Sequence, residues 1–152
     1  MKKKIAVIIL NRNLPLITNK LVDNINKKNS IDKDIYVVEA GSDKKKLSKY
    51  CTWHIKDNST KKNGLRYPRG MNCGLSNLYF ENKIQDYDYF LLLTNDTEFK
   101  GKNYLNILVK IMETNKKIGI LSPCSKNWGE KKILKKNNLK FFLVHTQHCL
   151  FC

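Results

Sequence analysis

Residues 94–98, Thr94-Asn95-Asp96-Thr97-Glu98, bring two carboxylates, an amide and two hydroxyls into one short stretch. A carboxylate beside an amide and hydroxyls suits Mg2+ or Mn2+, hard ions that take oxygen ligands. Residues 63–77 (NGLRYPRGMNCGLSN) bring Arg66 and Arg69 just ahead of the small residues Gly70 and Gly74. Arginine can engage phosphate oxygens through two parallel N–H donors. A helix beginning there would also turn unpaired backbone N–H groups toward an anion. Asn11, Glu39 and Ser42 offer hydrogen bonds suited to a base or ribose. Alone, residues 94–98 read better as a polar turn after a core strand, so the elements that carry these groups decide.

Residues 89–93 (YFLLL), within a strand predicted at 87–93, are apolar without alternation, which suits a strand buried on both faces. Residues 4–10 read as a first strand rich in β-branched side chains, 34–39 as a second and 52–55 as a short third. Later strands are predicted at 118–121 and 139–144. Ile17, Leu21 and Ile25 recur every fourth residue and predict a helix ending near 27–29, with Asn13 as its cap and Pro15 in its first turn. A short helix is predicted over 44–50, after the turn Ala40-Gly41-Ser42-Asp43, and a polar loop over 56–62. A further helix is predicted from about Gly70, with Met71, Leu75 and Leu78 or Tyr79 on one face. Another is predicted over 103–114, with Leu105, Leu108 and Met112 inward. Residues 129–138 read as a lysine-rich loop or helix. Alternating strands and helices predict an α/β fold with a largely parallel sheet. Ligands bind such sheets at the carboxyl ends of the strands. The turns at 11–13, 39–43 and 94–98 belong to that edge, and 66–74 can reach it.

The 152 residues suit one domain with a real core, and 41% hydrophobic residues exclude a disordered chain. A net charge of +16 implies an anionic partner: nucleic acid, an acidic membrane surface or a phosphorylated ligand. The lysines lie in short runs within an Asn-rich and Ile-rich chain, a composition that coding bias explains equally well. Single-stranded nucleic-acid surfaces interleave aromatics with basic residues, and the runs at 44–46 and 131–136 have none, so no nucleic-acid partner is expected. No stretch approaches the ~18–20 apolar residues of a membrane span. The apolar run 5–10 is shorter than a secretory core of roughly 7–15 residues, so a first strand is expected there. Five cysteines form no even framework and point to a reducing, cytoplasmic setting. Asp57, Asp86 and Asp88 are expected to cap or solvate, Trp53 and Trp128 to pack, and His54 to be structural. His145, His148, Cys149 and Cys152 are residue types of a zinc site. His148 and Cys149 are adjacent, however, and would face opposite sides of a strand, so a strand is the preferred reading.

In order along the chain, IAVIILNRN, DIYVVEAGSD, NGLRYPRGMNCGL, YFLLLTNDTEF and IGILSP resemble the N-terminal, donor-binding part of a family 2 glycosyltransferase, an inverting enzyme of the GT-A fold. The resemblance covers residues 4–123, and 124–152 match poorly. It implies a GT-A/Rossmann-like three-layer α/β/α domain with a mostly parallel sheet, incomplete at its C-terminus. It implies a nucleotide-diphosphate sugar donor held with Mn2+ or Mg2+. The sugar would pass with inversion to a hydroxyl of a glycan or lipid-linked acceptor, in surface glycan or polysaccharide synthesis. The setting would be cytoplasmic, with peripheral association at the membrane face. Asp96 matches the last acid of the DxD-type motif, the expected metal ligand, with Asn95 in the middle place and Thr94 in the first. Glu39 matches the first acid of the nucleoside-binding turn. Ala40 stands where a second acid usually contacts the base, which leaves the base open. Asn11 and Ser42 would bond the nucleoside, Arg66 and Arg69 the base or diphosphate, and Asn72 and Gly74 close the basic segment. The catalytic base is expected beyond Cys152, so donor binding rather than complete transfer is expected of these residues. Two other readings stand beside it. One is a non-catalytic basic α/β module for nucleic acid or an anionic membrane surface. The other is a nucleotidyltransferase-like domain, whose usual glycine-rich loop after the first strand is missing at 11–15.

Overall fold

A computed structural model describes residues 3–121 and, as backbone, three strands beyond them. Strand β1 (Lys4–Asn11) is the centre of the molecule. It pairs in parallel with β2 (Asp32–Ala40) on one side and β4 (Tyr89–Thr94) on the other, and β2 pairs in parallel with β3 (Cys51–Ile55). The order is β3-β2-β1-β4-β7, with β7 (Cys149–Phe151) antiparallel to β4 at the edge. Strands β5 (Ile133–Lys136) and β6 (Leu139–Phe142) form a separate antiparallel pair. The four parallel strands and their helices make a Rossmann-like α/β sheet. The chain winds outward from β1 to β2 and β3, then returns to β1's other side at β4, so the sheet has a switch point between β1 and β4.

β1 is apolar on both faces because both faces are covered. Ile5, Val7 and Ile9 pack with Leu21, Val22 and Ile25 of α1 (Pro15–Lys28) and with Leu105, Leu108 and Met112 of α4 (Tyr104–Thr114). Ala6, Ile8 and Leu10 pack with Met71 and Leu78 of α3 (Tyr67–Phe80). Each buried Val, Leu, Ile or Met side chain among them stabilises the fold by about 1.5–3 kcal/mol. α3 sits unusually close to the sheet. A Cβ on Gly70 would lie 2.4 Å from Leu10 Cδ1, and one on Gly74 2.7 Å from Ile8 Cγ2. These glycines, four residues apart, are a helix-packing face.

α4 lies across the amino-terminal edge of the sheet. Asn103 N donates to Lys28 O (2.7 Å), which sets its start beside the end of α1. At its other end Glu113 accepts a hydrogen bond from Tyr89 at the start of β4 and pairs with Lys3 (3.6 Å) and Lys116 (2.7 Å). Lys116 and the Tyr89 hydroxyl hold the Glu113 carboxyl pKa down at about 2.

Several boundaries differ from the sequence reading, each for a tertiary reason. α1 is capped at Leu14, not Asn13, because Asn13 adopts a left-handed conformation (φ 57°) and its side chain accepts from Asp43 N (2.8 Å). The inner face of α1 is Thr18-Leu21-Val22-Ile25, and Ile17 is exposed. β2 begins two residues early, at Asp32, because it pairs with β1 from Lys4 onward. Residues 44–50 form only a 3-10 turn, Lys44–Lys46. Residues 56–62 are not loop: Asp57 caps a helix, α2 (Asn58–Asn63), accepting from Thr60 N (3.0 Å) and Thr60 Oγ1 (2.5 Å), which lowers the Asp57 pKa. α3 starts at Tyr67, not Gly70, with Pro68 in its first turn, and Tyr79 faces outward. Residues 118–120 are not strand, and Leu121 forms an isolated bridge. Residues 133–136 are a strand rather than a loop or helix. Within 139–144, the described strand is Leu139–Phe142, outside the main sheet. Trp53 packs flat on Tyr36 (5.1 Å between rings), and Asp88 pairs with Lys3 (2.9 Å). His145, His148, Cys152 and Trp128 lie outside the described residues.

Candidate functional site

Sheet register sets polar residues in one row along the carboxyl edge. Asn11 of β1 is opposite Glu39 of β2, and Glu39 is opposite His54 of β3. Leu10 is opposite Thr94, so Asn95 follows beside Asn11. The row closes into a buried network. Asn11 Nδ2 donates to both carboxylate oxygens of Glu39 (3.0 and 2.9 Å), Ser42 Oγ donates to Oε2 (2.5 Å) and Ser48 N to Oε1 (2.8 Å). Asn95 Nδ2 donates to Asn11 Oδ1 (2.7 Å) and reaches Thr18 Oγ1 of α1 (3.4 Å). Glu39 is 0% exposed and Asn11 1%. A buried carboxylate survives only with its lone pairs occupied, and here four donor contacts occupy them.

The turn after β2 is fastened from both sides. Ser42 Oγ also accepts from Asn13 N (3.0 Å), and Ser42 O pairs with His54 Nε2 (2.9 Å). Gly41, at φ 77°, donates to Ile55 O (2.9 Å) and packs under α2, so close that a Cβ there would lie 2.1 Å from Thr60 O. Arg12 closes the other end of α2. Its Nη2 donates to Lys61 O and Lys62 O (3.1 Å each), carbonyls that a helix C-terminus otherwise leaves unpaired.

Beyond this network, Asp96 is exposed, and its Oδ1 accepts from Thr94 Oγ1 (2.5 Å). The head of α3 lies over the ends of β1 and β4: Gly70 touches Leu10, and Tyr67 OH donates to Leu92 O (3.1 Å). Arg66 is the N-cap residue of α3 and Arg69 lies in its first turn. Both are exposed, no acid lies in that turn and no side chain caps it. Among the described residues neither guanidinium has a carboxylate partner.

The sequence-predicted residues therefore divide. Asn11, Glu39, Ser42 and Asn95 come together, but as the internal scaffold of the edge. Asp96, Arg66 and Arg69 stand at its open side. Asn72 lies on the exposed face of α3, away from the inner face of Gly70, Met71, Gly74 and Leu78. Sequence reasoning missed Arg12 and Thr18. Thr18 was detectable from the 18-21-22-25 spacing, whereas nothing local marks Arg12, whose partners lie about fifty positions away.

Among the described residues no three His, Cys, Asp or Glu side chains form a metal-holding group. Mg2+ and Mn2+ sites often use one or two carboxylates and take the remaining oxygens from substrate phosphates. Asp96 with the Thr94 hydroxyl fits that minimal set. Glu39 does not, since its oxygens are spent. No protein-family model matches the chain, and searches of curated proteins and of solved structures returned no match. The fold and site define a Rossmann-like α/β domain with a rigid polar edge at its switch point. Among the described residues no helix is long and apolar enough to cross a membrane.

Proposed function

We propose that this domain binds a nucleotide-diphosphate sugar with Mg2+ or Mn2+ at the carboxyl edge, as the donor-binding part of a GT-A-type, family 2-like glycosyltransferase. The observation that carries the reading is that Asp96 follows the end of β4 at the β1/β4 switch point, where the head of α3 packs on Leu10 of β1 and bonds Leu92 O of β4. A diphosphate placed there would meet the helix N-terminus and the two arginines, and Asp96 would hold the metal that neutralises it. The Glu39-Asn11-Asn95 network supports the reading in a different way from direct ligation. It holds the turns after β1, β2 and β4 at fixed spacing, so the open groups need little reorganisation on binding. In the turn at 40–43 only Asp43 is exposed, so a nucleoside would meet the surface beside Asp43 rather than the buried Glu39 carboxylate. No described residue is assigned the role of deprotonating an acceptor, so the reading is of donor binding.

Titration with nucleotide-diphosphate sugars, with and without Mn2+, tests it. Binding is expected, Mn2+ is expected to tighten it about tenfold or more, and Asp96→Ala is expected to abolish the metal dependence. Metal-independent binding with a silent Asp96→Ala variant would sink the reading.

A further inference from the structure

At the opposite, amino-terminal edge of the sheet, the end of α1 and the start of α4 line an open cleft of about 570 Å3. That volume lies in the range of small-molecule sites, roughly 300–1,000 Å3. Its wall carries Lys20, Lys27, Lys28 and Lys102, against one carboxylate, Asp23. Asp23 is already engaged: it accepts from the Tyr50 hydroxyl and from Lys49 Nζ (3.4 Å), and these contacts lower its pKa. Among the described residues none of the four cleft lysines has an ion-pair partner, as with most lysines of this strongly basic chain, so what marks the cleft is that four of them line it against one engaged acid. Lys27 and Lys28 also complement the negative end of α1, which accounts for two of the four charges but not for Lys20 or Lys102.

The floor of the cleft is built rather than loose. Asn29, 5% exposed, donates from Nδ2 to Ile25 O (3.0 Å) and accepts at Oδ1 from Leu105 N (3.0 Å), tying the end of α1 to the first turn of α4. Asn103 N donates to Lys28 O across the same junction. α4 begins there with no acid in its first turn and no side-chain cap from Asn103. Four lysines and a fixed floor thus line one space.

We propose that this cleft binds a phosphate-bearing ligand, at a site separate from the Asp96 edge. Compact ammonium groups on flexible stems suit phosphate as point charges. The cleft and the carboxyl edge share no residue, so either can fail without the other.

The test uses the full chain carrying Arg66→Ala and Arg69→Ala, which removes the other basic site. Amide spectra are followed during titration with inorganic pyrophosphate. Saturable shifts are expected at Ser30, Asn103 and Leu105. Lys28→Gln with Lys102→Gln should weaken binding about tenfold, while Lys110→Gln with Lys117→Gln, an equal charge change outside the cleft, should leave it unchanged. Single Lys102→Gln serves if the double variant does not fold. Equal weakening by both pairs, or shifts scattered over lysines throughout the chain, overturns the site. Vesicles containing phosphatidic acid distinguish the sources. Retention that pyrophosphate reverses assigns the phosphate to a lipid headgroup. Pyrophosphate binding without retention assigns it to a soluble ligand, and failure of both rejects the proposal.

Discussion

At the scale of single residues, Asn11 is the hinge of the candidate site. It donates to Glu39 and accepts from Asn95, so it touches the groups behind two turns of the carboxyl edge. Replacing it with leucine fills similar space and strips both neighbours of a partner. Hydrogen bonds to a charged group are worth about 1.5–3 kcal/mol, and an orphaned buried acceptor adds to the loss. Asn11→Leu is therefore expected to destabilise the domain by about 3 kcal/mol in urea unfolding, and a change below about 1 kcal/mol would refute the network's role. The chemical types of Asn11, Glu39, Ser42 and Asn95 were legible as a polar set at strand ends. Their burial was not. Exposure depends on what α1 lays over the edge, and Thr18 of that helix is too distant in sequence for local reading to weigh.

At the scale of elements, the turn after β2 and helix α2 form one unit. Gly41 is needed there twice, for its positive φ and for its close approach to Thr60 O. Gly101 shares the positive φ (90°), but a Cβ added there would meet nothing within 4 Å. The pair separates the two effects. Gly101→Ala is expected to cost about 1 kcal/mol of backbone strain, and Gly41→Ala about 3 kcal/mol or more, because α2 must lift away. Equal costs in denaturant unfolding would show that contact with α2 is unimportant. The element pattern itself was readable: apolar runs without alternation became the parallel strands, and the inward faces of α4 and most of α3 followed their spacing. Boundaries moved wherever a distant partner intervened, as at Asn13, whose side chain bonds Asp43 instead of capping α1.

At the scale of the whole molecule, β4 is the strand on which site and sheet depend together. It carries Asp96 beyond its end, pairs with β1 along one side and receives β7 along the other, Leu91–Leu93 against Cys149–Phe151. Removing residues 149–152 is expected to leave that side of β4 unpaired and to speed amide exchange at 91–93 at least tenfold relative to β2, measured by hydrogen exchange. Unchanged protection would show that β7 adds nothing to the sheet. Sequence by itself determined the local chemistry. It showed a chain rich in buried-strand and amphipathic-helix patterns, an α/β class, and polar residues gathered after strands, because side-chain type and short periodicity act within a few residues. Only the tertiary structure decided the rest. Register placed Asn11 between Glu39 and Asn95, helix packing buried that row and left Asp96 and the arginines outside, and the junction of α1 with α4 gathered four lysines. Each of these depends on contacts between segments far apart in the chain, and no local pattern encodes their distances.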